Sequence, residues 1–325
     1  MSQPSRSDLV GLELISAKSS PRRSDLNANK LLCIVGPTAS GKTGLAVKLS
    51  QLFPSILVSA DSRQVYKGMD IVTGKDHPSD QEIFGIDIVS PEEESSVAVW
   101  HRAVFPHILQ AWENDLLPII VGGTGLYLRA LISGIETMSI PPNQKLRDSL
   151  SNHSVQDLQS QLKELDSHKF NQMNHSDQLN PRRLVRAIEI ASLTPESPTQ
   201  SDFTSPDSLF IGLRHNDLEA YKSNLKKRVI ARIEQGAIKE TKNLLSKHSP
   251  ELASFSSLGY QHTTRFIEGK ITHDQMIKDW TRSELAYSKR QLTWFAKTPD
   301  ITWFDPHLST TPSQVASLVK DWYSI

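Results

Sequence analysis

The chain has 325 residues and a formal net charge of zero, with 38% hydrophobic and 22% charged residues; this is the profile of a globular protein with one large domain and a smaller one. Neutrality excludes a global electrostatic case for a polyanionic partner, so any such case rests on local clusters such as PRRLVR at 181–186, KKRVIAR at 226–232 and SKRQ at 288–291. The single cysteine, Cys33, excludes an intramolecular disulfide and a Cys-built metal site and suits a reducing, cytoplasmic compartment; no apolar run approaches the ~18 residues that cross a bilayer.

Residues 1–29, rich in Ser, Arg, Pro and Asn, read as a mobile tail without the apolar core of a signal peptide. LLCIV at 31–35 is a continuous apolar run ending at a glycine, the pattern of a buried parallel strand. An amphipathic helix is expected over 44–53, then strands at 56–60 and 86–90, a helix over 97–115 and a buried strand within 116–123. The stretch 136–200 turns polar and helix-prone and reads as an inserted helical subdomain ending in a Pro/Ser/Thr-rich loop at 192–208. Strands return at 208–213 and 301–304, with helices over 217–297 between them. Alternating strands and helices predict an α/β fold, a parallel sheet flanked by helices. The domain reading is a tail to 29, a catalytic core over 30–135, the helical insertion over 136–200, and a return to the core over 201–325 that ends in helices.

Gly36-Pro-Thr38-Ala39-Ser40-Gly41-Lys42-Thr43 satisfies G-x-x-x-x-G-K-[ST] between a strand and a helix. Its backbone N–H groups and the following helix N-terminus suit an anion, Lys42 adds charge, and the Thr43 hydroxyl suits Mg²⁺. The loop identifies a di- or triphosphate and not which atom of it is attacked. Asp61 directly follows one predicted strand and Thr124 another, so both are expected at the crevice where parallel sheets bind ligands. From position alone, Asp61 either holds a metal or water, or accepts a proton from a nucleophile.

Six blocks occur in order: GPTASGKT, DSRQVYKGMDI, GGTGLYLRAL, RRLVRAIEI, SLGYQ and KRQLTWF. Together, over roughly residues 31–305, they resemble the tRNA dimethylallyltransferases, also called tRNA isopentenyltransferases, of bacterial type. The resemblance implies a P-loop NTPase-like core and transfer of a dimethylallyl group from dimethylallyl diphosphate to N6 of the adenosine immediately 3′ of the anticodon. ATP would then not be the substrate. It implies Asp61 as general base, and Thr124, Arg228, the loop and Mg²⁺ as stabilisers of the departing diphosphate. It also implies tRNA contacts from Ser62, Arg63 and Gln64; from Arg182, Arg183 and Arg186; from Gly259, Tyr260 and Gln261; and from Lys289, Arg290, Gln291 and Trp294. A monomer is expected, with no membrane partner.

Independently of the resemblance, helical projection of 271–297 puts Ile277, Trp280, Leu285, Leu292 and Phe295 on one side and Arg282, Lys289, Arg290 and Lys297 on the other. Glu284 falls on the apolar side without explanation. Departures from the family pattern are Val72 and Asp76 in DIVTGKD, the lack of a histidine pair before 86–90, and Asn224 in place of a basic residue, which predicts weaker diphosphate binding. Rival readings are a small-molecule kinase, an isopentenyltransferase acting on free adenylate, and a catalytically silent RNA-binding protein.

Overall fold

The computed structural model describes residues 29–75, 78, 81–193 and 204–323. The expected tail (but for Asn29), Asp76 and most of the Pro/Ser/Thr-rich loop lie outside the described residues. Six strands, β1 (Lys30–Val35), β2 (Ser55–Ala60), β3 (Ile83–Phe84), β4 (Leu117–Gly122), β5 (Asp207–Leu213) and β6 (Ile301–Phe304), form one sheet in the order β3-β2-β4-β1-β5-β6. Every pairing is parallel. After Lys30, β1 is apolar because both its faces are covered: Leu31, Cys33 and Val35 enter one core, Leu32 and Ile34 the other.

On the Leu32/Ile34 face lie α1 (Lys42–Ser50) and α13 (Thr311–Tyr323), through Leu45, Leu49, Val315 and Val319. On the opposite face lie α2 (Val97–Glu113) and α3 (Gly125–Ile132). The same face carries α9 (Leu218–Glu234), α10 (Ala237–Leu245), α11 (Leu258–Ile267) and α12 (His273–Phe295). Trp100 of α2 anchors this side: it is fully buried, stacks on Tyr127 and donates its indole N–H to the Ser59 carbonyl at 2.9 Å. Five helices from α4 (Gln144–Leu150) through α5 (Val155–Leu165), α6 (Ser167–Gln172) and α7 (His175–Gln178) to α8 (Pro181–Ala191) have their own core around Leu158, Leu162, Phe170, Leu184 and Ile188. Among the described residues no helix is long and apolar enough to cross a membrane.

The strand expected over 86–90 does not form. Asp87 has φ +53°, which breaks an extended run, and the N–H groups of Asp87, Ile88 and Val89 go to the carbonyls of Gln64 and Val65. The edge strand is instead the two-residue β3, paired with Leu57 and Val58.

Glu240 of α10 fixes the loop that follows Met69. Its carboxylate accepts from the backbone N–H groups of Asp70, Ile71 and Val72 at 3.0, 2.7 and 3.0 Å, and from the Tyr260 hydroxyl at 2.6 Å. Removing a charged acceptor strands four donors at once, so Glu240→Ala is expected to lower stability by roughly 2–3 kcal/mol. Urea denaturation checks this, and an unchanged midpoint would show that water replaces the carboxylate freely.

Candidate active site

The loops after β1, β2 and β4 meet at the carboxyl ends of adjacent strands and open on a crevice of about 1390 Å³. The first is the phosphate loop. Gly36 has φ +142°, and a Cβ there would run into the Leu213 carbonyl at the end of β5. The loop then bends through Ala39 and Gly41, both with positive φ, and enters α1 with no side-chain cap. First-turn N–H groups are therefore left to an anion. The Ser40 hydroxyl is buried without a partner, and Lys42 folds back with its ammonium 2.6 Å from the Pro37 carbonyl. Both are donors held where phosphate oxygens would sit.

The second and third loops are tied together. Thr124 donates its N–H to the Ala60 carbonyl at 3.1 Å, and its hydroxyl accepts from the Ser62 N–H at 3.1 Å. Gly122 has no room for a Cβ against the Ala60 backbone. Asp61 accepts the Arg63 N–H on one carboxylate oxygen at 2.9 Å and faces the crevice. Tyr287 of α12 reaches Thr124 beside Asp61; burial pushes its phenol up, and the Asp61 charge adds to the effect. Among the described residues seven Lys and Arg side chains line the crevice (Lys42, Lys48, Arg63, Lys75, Arg228, Arg232 and Arg290), of which Lys75 is paired with Asp70 and Asp87, against the two lining carboxylates Asp61 and Glu284. That balance selects an anionic ligand.

Two helices from the far end of the chain complete the walls. From α12, the Gln291 carboxamide accepts from the Thr38 N–H at 2.9 Å and donates to the Gly123 carbonyl at 3.2 Å. From α9, the Tyr221 hydroxyl donates to the Thr38 carbonyl at 2.9 Å and lies 2.6 Å from Ser288 Oγ; burial pushes this phenol up to about 12. His215 stacks on Tyr221, with its Nε2 3.2 Å from the Ala39 carbonyl. Arg228 lies against Gly74, whose φ of +65° and missing Cβ make room for it.

Sequence reasoning missed Tyr287, Tyr221, His215 and Arg232. Arg232 had left a signal: it lies one turn after Arg228, and Glu284, without explanation on its own helix, is its partner at 3.0 Å. The buried side of α12 is accordingly not the apolar stripe expected. Trp280, Glu284, Ser288, Gln291 and Phe295 are buried, while Leu285 and Leu292 are only partly covered, because the helix faces the polar crevice along much of its length.

The residues expected to touch RNA divide. Arg182, Gln261, Lys289, Arg290 and Trp294 are exposed, with Trp294 lying against Gly125. Ser62 and Arg63 line the approach to Asp61, and Arg63 donates to the Ser256 hydroxyl at 2.9 Å. Gln64 is held inside, accepting from Ser59 and donating to the Gly74 carbonyl. Arg183 pairs with Asp177. Four of them are engaged within the protein. Arg186 spends its guanidinium on Glu189 and the carbonyls of Thr137 and Ile140, bracing the entry to α4. Tyr260 is fully buried on Glu240. Gly259 packs against Trp280 and Val72, and Gln291 binds the two loops. Arg186 is partly covered, and Gly259, Tyr260 and Gln291 are buried.

Among the described residues no group of three His, Cys, Asp or Glu side chains could hold a metal ion by itself. The donor set is hard oxygen: the Thr43 hydroxyl at the loop exit. That fits Mg²⁺, which takes few protein ligands and completes its shell with phosphate oxygens and water.

The family model described as IPP transferase matches residues 64–298, and the model described as isopentenyl transferase matches residues 29–89. The chain belongs to the IPP transferase family. Relatives named tRNA dimethylallyltransferase include one from Alkaliphilus oremlandii, 36% identical with 85% of this chain and 91% of the relative covered. Another, from Acaryochloris marina, is 34% identical, covering 89% and 95%. A solved tRNA isopentenylpyrophosphate transferase from Bacillus halodurans is 31% identical with TM-score 0.68, covering 91% of this chain and 97% of that one. A eukaryotic dimethylallyltransferase, solved acting on tRNA, has TM-score 0.78 at 25% identity, covering 91% and 79%. The crevice of this family member thus lies in a fold shared with enzymes of that name.

Gln291→Ala releases the phosphate loop from the Gly123 loop without removing a charge. It is expected to weaken binding of inorganic pyrophosphate about tenfold, or about 1.4 kcal/mol, in a calorimetric titration. Unaltered binding would mean that the loop holds its shape alone.

Proposed function

We propose that the protein transfers a dimethylallyl group from dimethylallyl diphosphate to N6 of the adenosine immediately 3′ of the anticodon in tRNA, giving N6-isopentenyladenosine and diphosphate. The observation that carries this is the adjacency of a phosphate loop and an aspartate in one crevice, in a chain of the IPP transferase family; Thr124 ties the aspartate's loop to the loop after β4, and Gln291 ties that loop to the phosphate loop. The phosphate loop amides, Ser40, Lys42 and Arg228 hold the diphosphate end of the donor, and the allylic carbon is directed toward Asp61.

The exocyclic amine of adenine is a poor nucleophile because its lone pair is delocalised into the ring. As the N6–C bond forms and the allylic C–O bond breaks, N6 must lose a proton, and Asp61 accepts it. The departing diphosphate gains negative charge, which the loop N–H groups and the cationic walls stabilise. Mg²⁺ held through Thr43 would neutralise part of that charge when bound. The target base leaves the anticodon-loop stack to enter, at roughly a few kcal/mol. Ser62 and Arg63 border its path, while Lys289, Arg290 and Trp294 offer a basic face with an aromatic platform to the surrounding RNA.

The test is incubation with Mg²⁺, dimethylallyl diphosphate and an anticodon stem-loop with adenosine 3′ of the anticodon, read by mass spectrometry, with AMP as the alternative acceptor. An isopentenyl increment on the stem-loop is expected. An increment on AMP alone would move the protein to free-nucleotide chemistry, and none on either would remove the reading. Asp61→Asn is expected to cut turnover at least about a hundredfold while stem-loop affinity stays within about twofold. Lost affinity with near-normal turnover at saturation would take the proton from Asp61 and give it another acceptor.

A further inference from the structure

The crevice contains a second guanidinium that the reaction described above does not use. Arg232 follows Arg228 by one turn of α9, so both side chains leave the same helix face. The turn before Arg228 carries no cation on that face: Asn224 stands there, its amide 3.3 Å from His307 Nε2. Arg232 is 6% exposed, yet it lines the crevice beside Arg228 and Glu284.

Its contacts are uneven. Arg232 Nη1 donates to Glu284 Oε1 at 3.0 Å, an oxygen that also accepts the Trp280 indole N–H at 3.1 Å. The guanidinium carbon sits 5.9 Å from the centre of the Trp280 ring. The Nε is buried without a hydrogen-bond partner. On its other edge, Nη2 lies at the space a Cβ of Gly74 would fill, where Arg228 Nη2 also arrives, 2.9 Å from that position. Among the described residues Glu284 is therefore the one carboxylate bonded to this pair of guanidinium groups, with the Asp61 charge also reaching Arg232.

Burying a guanidinium is costly unless its donors are met and its charge is balanced. A pair kept for stability alone would need neither an orphaned N–H nor a second guanidinium brought beside it in an anion-selecting crevice. We infer that Arg232 is a second arginine that contacts the diphosphate of the donor, working beside Arg228, and that Glu284 is a positioning residue that holds its guanidinium in place. This rests on the proposed reading that the crevice takes a diphosphate. The two arginines offer parallel donors to different phosphate oxygens. Glu284 spares the empty crevice the full repulsion of two adjacent cations.

The test is calorimetric titration of inorganic pyrophosphate with Mg²⁺ into the full-length protein, alongside stem-loop affinity and melting temperature. Arg232→Met with Glu284→Gln removes both charges of the pair, so no buried ion is stranded. The double variant is expected to bind pyrophosphate at least about tenfold more weakly, with stem-loop affinity within about twofold. Glu284→Gln alone keeps an acceptor for Arg232 and removes a charge that opposes the anion, so pyrophosphate binding is expected to stay equal or tighten. Arg232→Lys should recover part of the loss, since it restores charge without the fork. Pyrophosphate binding within about twofold of wild type in the folded double variant would overturn the inference. So would a loss in Glu284→Gln as large as in the double variant. Should the double variant not fold, Arg232→Lys decides: about threefold or greater weakening supports the contact, and unchanged binding overturns it. Wild-type protein that binds no pyrophosphate would remove the diphosphate reading and this inference together, whereas a loss confined to the variants concerns Arg232 alone.

Discussion

Gln291 carries a constraint on which the crevice depends: a single carboxamide bonds the phosphate loop at Thr38 and the loop after β4 at Gly123. The loops leave neighbouring parallel strands whose own hydrogen bonds end at Val35 and Gly122. Beyond that point the sheet no longer sets their separation. A planar amide with one donor side and one acceptor side does, and Gly123 lacks a Cβ because Gln291 occupies its place. Tyr221 adds a second tie, to the Thr38 carbonyl and Ser288. An anion site built near the start of the chain is therefore shaped by helices more than 180 residues further on.

The polar stripe of α12 follows from the same demand. Glu284, Ser288 and Gln291 are buried in a helix that also buries Trp280 and Phe295. Buried polar groups are tolerated where their hydrogen bonds are met, and here the partners are Arg232, Tyr221 and the crevice loops. The helix thereby joins the hydrophobic side of the protein to its charged one. Lys289 and Arg290 on the same helix are exposed, and Arg290 also borders the crevice.

Much of the fold was legible in short segments. Apolar runs marked β1, β4 and the Ile56–Val58 stretch of β2 because strands covered on both faces leave few positions for polar side chains. The phosphate loop and Asp61 were legible because their spacing to strand ends is local. The strand expected over 86–90 failed because its N–H groups were claimed by the Gln64–Val65 carbonyls, a pairing invisible in the segment itself. The intramolecular partners of Arg186, Tyr260 and Gln291 were not legible because side-chain type says nothing about which way a helix is turned once neighbouring helices pack on it. Glu284 looked misplaced until Arg232, 52 residues earlier, arrived beside it.

By itself the sequence determined the parallel sheet, the anion loop at the end of β1 and the aspartate at the end of β2, since each depends on a few consecutive residues and on backbone sterics. Only the tertiary structure decided which side chains share the crevice with them. Arg228, Arg232, Tyr287 and Gln291 come from two distant helices whose rotation is fixed by packing against each other and against α3, α10 and α11. The hydrogen bonds these helices make to the crevice loops chose the face that looks inward.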